Sequence, residues 1–527
     1  MPFNANFTFR TPVIAATALL LVTLACSIGA GSSTEPFFAA PSSMRVITDI
    51  PPVLTPLEAN PEPTEPPGSN VDPVLVSPIT PVPEETPTEA PLILYWTQAG
   101  DSLRVVAARF GVDPAEIAST EPIPEVSFIP PNQLLMIPNR LTNTTSHTKL
   151  LPDSEVVFSP SAANFDVNAF VREAGGYLST YVEYLKSTGN TSGADIVLRV
   201  ARENSVNPRL LLALLEYQSG WVYGQPGNAA RADYPMGLIE LERKGLYQQL
   251  VWAMKQLSIG YYGWREGLIT EIRFKEGVTA RMAPELNAGT AAVQYYFSKL
   301  YDSQGWVAAL DINQGLPALY EGMFGNPWIR AQSVEPLYPP GLTQPKLILP
   351  FLIGQVWSYS GGPHGAWEHE GARAALDFAP GSTESGCVES DAWVVAAAPG
   401  LVVRSGNGVV VLDLDGDGSE HTGWVLLYLH VSTKKRIPEG EWVDTGDLLG
   451  HPSCEGGQST GTHIHIARKY NGEWIPADGP IPFDLSGWIA HAGEQPYDGT
   501  LTKDGVTVYS SVYGSFESRI RRIAETQ

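Results

Sequence analysis

The sequence is poor in basic residues, in cysteine and in uncharged apolar runs of membrane-spanning length. Its 33 lysines and arginines are outnumbered by 56 acidic residues, which gives a formal net charge of −23. The basic residues form no dense cluster, and this argues against nucleic acid as a partner. The uncharged run near the N-terminus, from Pro12 to Ala25, is too short for a comfortable membrane span. The composition is compatible with an exposed, secreted protein.

What the chain does have is enough length and apolar material for more than one core. It contains 527 residues, of which 43% are hydrophobic and 17% are charged. Domain-size statistics favour about three folded units for such a chain. The sequence therefore predicts a multidomain globular protein.

The N-terminal segment has the layout of an export signal. Arg10 precedes the apolar run, and Cys26 follows it directly, so residues 1–25 are interpreted as a signal peptide. The letters VTLAC that end at Cys26 resemble the lipobox of bacterial lipoproteins, which implies that Cys26 is lipidated and attaches the chain to a membrane. An ordinary export signal with a chance cysteine is the alternative. Both interpretations predict an extracellular or cell-envelope protein.

Residues 26–91 are rich in Pro, Thr, Glu and Ser, as in SPITPVPEETPTEAP. They contain too few large apolar residues to offset the entropy of ordering the chain, so they are predicted to be a disordered, solvated linker. Two cysteines remain beyond this linker, Cys387 and Cys454. In an oxidising compartment such a pair is most simply a disulfide, with two separate buried thiols as the alternative.

The first folded unit is predicted at residues 92–140. A strand leads to AGDSL, where Asp101 or Ser102 can cap a helix; a second helix follows Asp113, and QLLMIP closes the unit as a strand. The segments QAGDSL, ARFGVDPAEIA and PPNQLLMIP resemble the LysM module over nearly its full length. The resemblance implies a small βααβ fold that binds glycans containing N-acetylglucosamine, such as peptidoglycan.

After a linker at 141–162, residues 163–345 show apolar residues at helical spacing, which predicts an all-α domain. Two helices are expected to break at Asn207-Pro208. The stretch VNPRLLLALLEYQSG, followed by PMGLIEL, resembles the lysozyme-like core of lytic transglycosylases, where a helix ends in a catalytic Glu-Ser pair.

The same resemblance exposes a mismatch at the catalytic position. Aligning Ser219 with the family's serine puts Gln218 where the acid should be, and an amide cannot donate the proton that glycosidic cleavage needs. Glu216 is rotated from that direction by roughly 200° on a helix. The domain is therefore interpreted as an inactive glycan-binding relative. Activity through Glu216 and a plain helical bundle are the alternatives.

Histidine is unevenly distributed, because eight of the nine lie between residues 347 and 491. Strand-like runs such as GVVVLDLDGDG and GWVLLYLHV dominate residues 346–495, which predicts an antiparallel β domain. In THIHI, an extended strand sends His463 and His465 to the same face, and two imidazoles in one space indicate a metal. The histidines without such pairing are predicted to be loop residues: His421, His451 and His491.

Other segments of this domain add nitrogen and oxygen ligands. GGPHG supplies His364, LDFAPG supplies Asp377, and LYLHV supplies His430. Catalytic zinc requires three protein ligands of this mixed kind and an open fourth position that holds water. The sequence therefore predicts a zinc site.

At these positions the domain resembles the lysostaphin-type zinc metallopeptidases, which cut peptide cross-bridges in bacterial cell walls. DFAPG, VVAAAPGLVVRSG, VDTGDLLGH and STGTHIHI stand in the family's order. The resemblance implies that His364, Asp377 and His465 hold zinc. It also implies that His430 and His463 lie beside the fourth position, where one accepts a proton from water and the other stabilises the oxyanion. No His-Glu-x-x-His segment supplies a glutamate base.

The first ligand is left open between two histidines. Most members of that family space the first pair as His-x-x-x-Asp, but the residue four before Asp377 is Arg373, which cannot bind a cation. His364 precedes Asp377 by a longer loop, an arrangement similar to the LasA, or staphylolysin, branch. His369 is the competitor. The sequence favours His364, which lies in a Gly-Pro turn after a strand-like run.

The sequence thus predicts a secreted, lipid-anchored hydrolase that cleaves peptide cross-links of peptidoglycan and ends in a C-terminal tail at 496–527. Several weak glycan contacts on one chain would raise the local concentration of cross-links at the metal. The alternative is a catalytically inactive peptidoglycan-binding or hydrolase-activator protein that keeps the peptidase fold as a scaffold.

Overall fold

The computed structural model describes residues 91–367 and 370–524. The predicted signal peptide, Cys26, the linker up to residue 90, and His369 lie outside the described residues. Across the described part of the chain, no helix is both long and apolar enough to cross a membrane.

The first unit is a small sheet covered by one helix. Its elements are β1 (Leu92–Trp96), α1 (Leu103–Phe110), β2 (Ala118–Ser119) and β3 (Leu134–Pro138), with the antiparallel order β1-β3-β2. The predicted second helix is a single 3₁₀ turn, Pro114–Glu116, so the expected βααβ pattern is wrong in this element. Asp113 and Glu116 form a capping box around that turn, and the chain then leaves directly into β2.

Helices dominate the second unit. They are α2 (Val167–Ala174), α3 (Gly193–Asn204), α4 (Pro208–Ser219), α5 (Ala229–Asp233), α6 (Leu246–Arg265), α7 (Ala288–Leu300), α8 (Ser303–Ala309), α9 (Leu316–Phe324) and α10 (Pro327–Ala331). The predicted break at Asn207-Pro208 is confirmed, since the Asn207 side chain caps α4 by accepting from Arg209 N–H. The unit is not purely helical, because short hairpins interrupt it: β4 (Val182–Leu185) with β5 (Gly189–Ser192), and β6 (Glu271–Arg273) with β7 (Thr279–Arg281).

Residues 141–162, predicted to be a linker, belong to the folded helical unit. Leu151 and Phe158 are buried in its core, and Thr145 N–H donates to the main-chain oxygen of Arg281. Asp153 is also buried, where its Oδ1 accepts hydrogen bonds from Asn287 and from the N–H of Gly289. The expectation of a spacer is wrong because this short segment buries its apolar side chains against α7 and its neighbours.

A large antiparallel sheet organises the third unit. The strands of this unit are β8 (Val356–His364), β9 (Ala375–Pro380), β10 (Val394–Val395), β11 (Gly400–Gly406), β12 (Val409–Asp413), β13 (Trp424–Leu429), β14 (Trp442–Val443), β15 (Leu448–Gly450), β16 (Ile464–Tyr470), β17 (Glu473–Trp474), β18 (Asp484–Leu485), β19 (Trp488–Ala492), β20 (Gly499–Lys503), β21 (Val506–Tyr509) and β22 (Arg519–Arg521). Within the described ranges, the main sheet runs in the order β14-β11-β12-β13-β16-β9-β8-β22, with β17 paired to β16. Its pairings are antiparallel, which confirms the predicted sheet type.

The predicted C-terminal tail at 496–527 is wrong for the residues that the structure describes. Strand β22 pairs with β8 along the main sheet, and Ile520 is buried in its core. Strands β20 and β21 extend a second small sheet that runs β18-β19-β20-β21. These strands are short and separated by turns, so their periodicity in the sequence is weak.

The two faces of the main sheet pack into different cores. Along β12, Val410 and Leu412 face a core formed inside the third unit, whereas Val409 and Val411 face a core shared with the helical unit. A sheet that is apolar on both faces must be covered on both. The helical unit is therefore one of the two layers that bury the sheet.

A single guanidinium joins all three units at their common boundary. Arg265, at the end of α6, lies with Nε 2.8 Å from Glu473 Oε1 and with Nη2 2.9 Å from Asp153 Oδ2. Its Nη1 donates to the main-chain oxygen of Ala99 in the first unit. Tyr261 adds a hydrogen bond from its hydroxyl to Glu473 Oε2, at 2.9 Å. Removal of this side chain would leave buried carboxylates without their counter-charge.

The predicted disulfide is present. Cys387 and Cys454 are bonded, 67 residues apart in the sequence. The bond joins the connection between β9 and β10 to the connection between β15 and β16.

Candidate metal centre

Three neighbouring strands carry three of the predicted ligands to one end of the main sheet. Strand β9 lies between β8 and β16, and Asp377 stands directly opposite His465 in the register of β9 and β16. Strand β8 ends at His364, and its pairing with β9 shifts register on both sides of Gly361. Because register shifts of this kind re-aim side chains, the imidazole of His364 reaches Asp377 although its main chain pairs with Ala375.

The two glycines before His364 leave space that a side chain would fill. A Cβ added to Gly361 would lie 2.6 Å from Asp377 Oδ2, and one added to Gly362 would lie 2.5 Å from the main-chain carbon of Asp498. The carboxylate of Asp377 can occupy its position only because residue 361 carries no side chain.

The three predicted ligands converge closely. His364 Nε2 lies 3.3 Å from Asp377 Oδ1 and 2.9 Å from His465 Nδ1. His465 Nδ1 lies 3.2 Å from the same Asp377 oxygen. All three side chains are buried, and one potential ligand atom from each lies within 4.8 Å of the others.

Main-chain carbonyls determine which nitrogen of each imidazole faces this cluster. A carbonyl oxygen only accepts, so the ring nitrogen next to it must carry the proton. His364 Nδ1 therefore donates to the oxygen of Gly362 (2.7 Å), and His465 Nε2 donates to the oxygen of Ala366 (2.9 Å). The opposite nitrogens, His364 Nε2 and His465 Nδ1, then present lone pairs to each other and to Asp377. Hydrogen bonds of this kind orient metal-binding histidines.

The other two predicted histidines flank the cluster in the same way. His430 Nδ1 donates to the main-chain oxygen of Glu455 (2.8 Å), and His463 Nδ1 donates to that of Gly461 (2.7 Å). Their ring centroids are 4.5 Å apart, and His463 Nε2 lies 3.7 Å from Asp377 Oδ2. Both rings therefore keep Nε2 unprotonated, and that of His463 lies near the carboxylate of the cluster.

The electrostatics of the cluster favour a bound cation. Burial alone would raise the pKa of Asp377, but the positive charge that His364 and His463 carry when protonated holds it well below its usual range, so the ionised carboxylate needs a neighbouring cation. Burial, followed by the neighbouring imidazoles, lowers the pKa of His430 to about 3, and burial also lowers the pKa of His465. A carboxylate surrounded by nitrogen lone pairs in a buried site is unfavourable without a positive charge at its centre.

The donor set fits zinc. Two imidazole nitrogens and one carboxylate are a three-ligand set of the kind that catalytic zinc takes. Asp377 Oδ1 is fully buried and has no hydrogen-bond partner among the described residues, so it has a lone pair free for a metal. Of the two candidates for the first ligand, His364 takes part in the cluster, and His369 lies outside the described residues.

Arg373 lies apart from this cluster. Its guanidinium donates to the main-chain oxygens of Gly493 (3.1 Å) and Glu494 (3.3 Å). It therefore supports the loop before β20. The longer spacing between His364 and Asp377 leaves room for this arginine without loss of a ligand.

Sequence reasoning missed one residue that touches the cluster. The ring of Tyr497 stacks on the imidazole of His364, with centroids 4.1 Å apart and planes 20° from parallel. Its main-chain oxygen accepts from Gly362 N–H (2.7 Å). Burial, ahead of the charge of Asp377, raises the pKa of Tyr497 to about 12. Tyr497 lies in the turn Gln-Pro-Tyr-Asp-Gly, within the segment predicted to be a tail. Nothing in that local sequence indicates contact with a metal ligand.

The histidines predicted to be loop residues lie elsewhere. His421 stacks on Phe158 with ring centroids 3.6 Å apart, and burial lowers its pKa to about 3. His451 packs against Trp393 with centroids 4.0 Å apart. His491 lies within strand β19, so its assignment to a loop is wrong.

The helical unit engages both side chains that the lysozyme-like resemblance singled out. Gln218 Oε1 accepts a hydrogen bond from the hydroxyl of Tyr301, at 2.8 Å. The Glu216 carboxylate accepts from the N–H groups of Val222 (2.8 Å) and Tyr223 (3.1 Å), so it closes the turn after α4. The lysozyme-like relationship stays a prediction.

Comparison with known proteins finds a matching family model and related proteins. The family model described as "LasA, N-terminal domain" matches residues 149–337, which is the helical unit with the segment before it. The chain is 26% identical over 353 residues to Protease LasA of Pseudomonas aeruginosa strain PAO1, covering 62% of this chain and 75% of that protein. It is 28% identical over 179 residues to beta-lytic metalloendopeptidase of Achromobacter lyticus, covering 32% of this chain and 44% of that protein.

Solved structures are similar over part of the chain. The M23 metalloprotease pseudoalterin from the deep sea has 26% identity and a TM-score of 0.26, covering 32% of this chain and 96% of that chain. The catalytic domain of the antimicrobial peptidase lysostaphin from Staphylococcus simulans has 22% identity and a TM-score of 0.17, covering 24% of this chain and 89% of that chain.

Proposed function

We propose that this protein is a secreted zinc metalloendopeptidase that cleaves the peptide cross-links of peptidoglycan. The observation that carries the proposal is the orientation of four imidazoles around one buried carboxylate. Each ring donates one N–H to a main-chain oxygen, which leaves the other nitrogen of His364, His430, His463 and His465 without a proton. These four imidazoles and the carboxylate can bind a cation and transfer protons at the same site.

The metal is assigned to three of these residues. His364 through Nε2, Asp377 through its carboxylate and His465 through Nδ1 would hold zinc. A zinc ion in this site would supply a Lewis acid that lowers the pKa of water from about 15.7 to near 7. The main-chain oxygens of Gly362 and Ala366 keep the two imidazoles in the tautomers that such binding needs.

The acid and base roles are assigned to His430 and His463. Neither ring belongs to the three-residue cluster, yet His463 Nε2 is 3.7 Å from Asp377 Oδ2 and His430 packs beside it. Burial keeps His430 neutral at neutral pH, so its Nε2 can accept a proton from attacking water. The second imidazole can stabilise the oxyanion or return a proton to the leaving amine.

The similarity to named peptidases supports an endopeptidase. The related Pseudomonas protein is a protease by name, and the Achromobacter relative is a metalloendopeptidase by name. The third unit carries the proposed zinc ligands, and the helical unit carries the match to the N-terminal domain of LasA. The proposed protein therefore combines a metallopeptidase unit with a domain that matches the N-terminal domain of LasA.

The LysM-like unit and the anchor would localise the enzyme. We assign glycan binding to residues 92–140, and membrane attachment to lipidated Cys26. The first unit is docked on the helical unit, since Arg109 Nη2 donates to the main-chain oxygen of Trp264 (3.0 Å). The docking would hold a bound glycan strand at a constant distance from the metal centre. A lipid on Cys26 is tested by mass spectrometry of the protein isolated from its membrane fraction; an unmodified mature N-terminus elsewhere would contradict it.

The test of the catalytic proposal uses the full chain, purified with its metal. We expect about one zinc per chain, and new free amines, without new reducing sugar ends, after digestion of peptidoglycan. His465→Ala should lose both zinc and activity, whereas His430→Ala and His463→Ala should keep zinc and lose activity. His147→Ala is the matched control, because this imidazole is exposed in the helical unit.

The same experiment separates the alternative of an inactive scaffold. A peptidoglycan-binding or activator protein would be indifferent to His430→Ala and His463→Ala. It would also release no new chain ends at any protein concentration. New reducing or anhydro-sugar ends would instead point to glycan cleavage by the helical unit.

A further inference from the structure

His430 adopts a backbone conformation that side-chain-bearing residues rarely take. Its φ is 69°, in the left-handed region, immediately after β13 ends at Leu429. A non-glycine residue is held there only when its surroundings determine its conformation more strongly than its own preference. Something next to His430 must therefore hold both its main chain and its ring.

A single tripeptide supplies those contacts. Ser453 donates its N–H (2.7 Å) and its hydroxyl (3.0 Å) to the main-chain oxygen of His430. Two residues later, the main-chain oxygen of Glu455 accepts from His430 Nδ1 at 2.8 Å. Between them, Cys454 is bonded to Cys387, which ties the tripeptide to a second loop.

The side chain of Glu455 then holds the residues that follow His430. Its two carboxylate oxygens lie 2.8 and 2.9 Å from the N–H of Thr433, which donates to both. The hydroxyl of Thr433 donates to Oε2 at 2.6 Å, and that of Ser432 donates to Oε1 at 3.2 Å. Hydrogen bonds to a charged acceptor are the stronger ones. Glu455 therefore holds both the ring of His430 and the two residues Ser432 and Thr433 that follow it.

We propose that Glu455 is a positioning residue for His430. Its main-chain oxygen selects the ring tautomer, and its carboxylate fixes the segment after the ring, so that the ring stays beside His463 with Nε2 unprotonated. The proposal rests on the catalytic role of His430 given above. Glu455 itself reaches none of the proposed metal ligands among the contacts that the structure describes.

The side chain of Glu455 is suited to mutagenesis because it is not part of a hydrophobic core. Its side chain is 39% exposed, so its loss should leave the fold intact. Glu455→Ala removes the carboxylate that accepts hydrogen bonds from Ser432 and Thr433, and Glu455→Gln keeps one acceptor oxygen for Thr433. Glu439→Ala, at an exposed glutamate on the connection after β13, is the matched control.

The first measurement is kinetic, with a soluble cross-linked muropeptide and the zinc-loaded full chain. Glu455→Ala should lower kcat at least tenfold, with KM and zinc content within twofold of wild type, and Glu455→Gln should recover most of the loss. Glu439→Ala should match wild type. An unchanged kcat in Glu455→Ala, or a loss of zinc together with activity, would overturn the proposal.

The second measurement does not depend on turnover. With ¹⁵N-labelled histidine, the Nδ1–H signal of His430 should be sharp in wild type and in Glu455→Gln. Glu455→Ala keeps the main-chain oxygen that accepts this proton but releases the segment after the ring, so the signal should broaden. A signal in Glu455→Ala as sharp as in wild type would refute the positioning role. If wild type cleaves no muropeptide, the proposed function fails, and this spectroscopic comparison still decides whether Glu455 positions the ring.

Discussion

Replacement of Arg265 by methionine should destabilise the whole folded region, because one buried guanidinium serves three units. Arg265 is 7% exposed, and its ion-pair partners Glu473 and Asp153 are 2% and 12% exposed. Removal of one member of a buried pair typically destabilises a protein by about 3–5 kcal/mol, since the remaining charge is left in a site poor in water. Methionine keeps most of the apolar volume, so the loss reports mainly on the charge.

The double variant Arg265→Met, Glu473→Gln tests that reasoning. In the double variant, residue 473 carries no negative charge, so the loss of the Arg265 guanidinium leaves no uncompensated charge at that position. The double variant should therefore be more stable than the sum of the single changes predicts, by about 2 kcal/mol, within the range measured for contacting residues. Asp153 keeps other partners, Asn287 and the N–H of Gly289.

The assay is urea denaturation followed by tryptophan fluorescence and far-ultraviolet circular dichroism. Arg140→Met is the matched control, because Arg140 pairs with Glu116 at the surface and is 51% exposed; it should cost less than about 1 kcal/mol. An Arg265→Met variant within 1 kcal/mol of wild type, or strict additivity in the double variant, would refute the argument.

Three further predictions concern the disulfide, the ligand pocket and pH. The double variant Cys387→Ser, Cys454→Ser removes a cross-link between residues 67 apart, which stabilises the protein by about 4 kcal/mol if its effect is to restrict the unfolded chain. The thermal midpoint should therefore fall, and an unchanged midpoint would contradict this. Gly361→Ala places a Cβ 2.6 Å from Asp377 Oδ2 and should weaken zinc binding at least tenfold in a chelator competition, and equal affinity would argue against the proposed ligand set. Burial raises the pKa of Glu266 from 4.5 to about 7, so the folded protein retains a proton that the unfolded chain releases, and stability should fall as pH rises from 4.5 to 7. Glu266→Gln should remove about 2–3 kcal/mol of that loss between pH 5 and pH 8 in urea denaturation, and parallel pH curves for the two proteins would disprove the assignment.

Much of the candidate site could be predicted from local pattern. His463 and His465 alternate in a β-forming run, and the period of a strand alone places both rings on one face. The break at Asn207-Pro208 follows from the amide cap and the missing N–H of proline, which are local effects. The disulfide between Cys387 and Cys454 could be predicted once an oxidising compartment was assumed.

The errors arose where burial depends on distant partners. Residues 141–162 and 496–524 carry few periodic apolar positions, yet they fold because α7, β8 and their neighbours offer surfaces to bury against. The second helix expected after Asp113 is a 3₁₀ turn, because its few residues make no stable helix without packing. Short elements of this kind have too little local signal to be recognised in one sequence.

The sequence by itself determined the residue types of the site and the helical character of the middle region. It also determined the β-forming run that places His463 and His465 on one face. Only the tertiary structure decided that His364 stands beside Asp377, that Tyr497 stacks on His364, and that the helical unit covers one face of the sheet. The reason is that local periodicity fixes the direction of a side chain relative to its own strand. Distances between strands depend instead on register and on bulges, which are settled when the two cores pack.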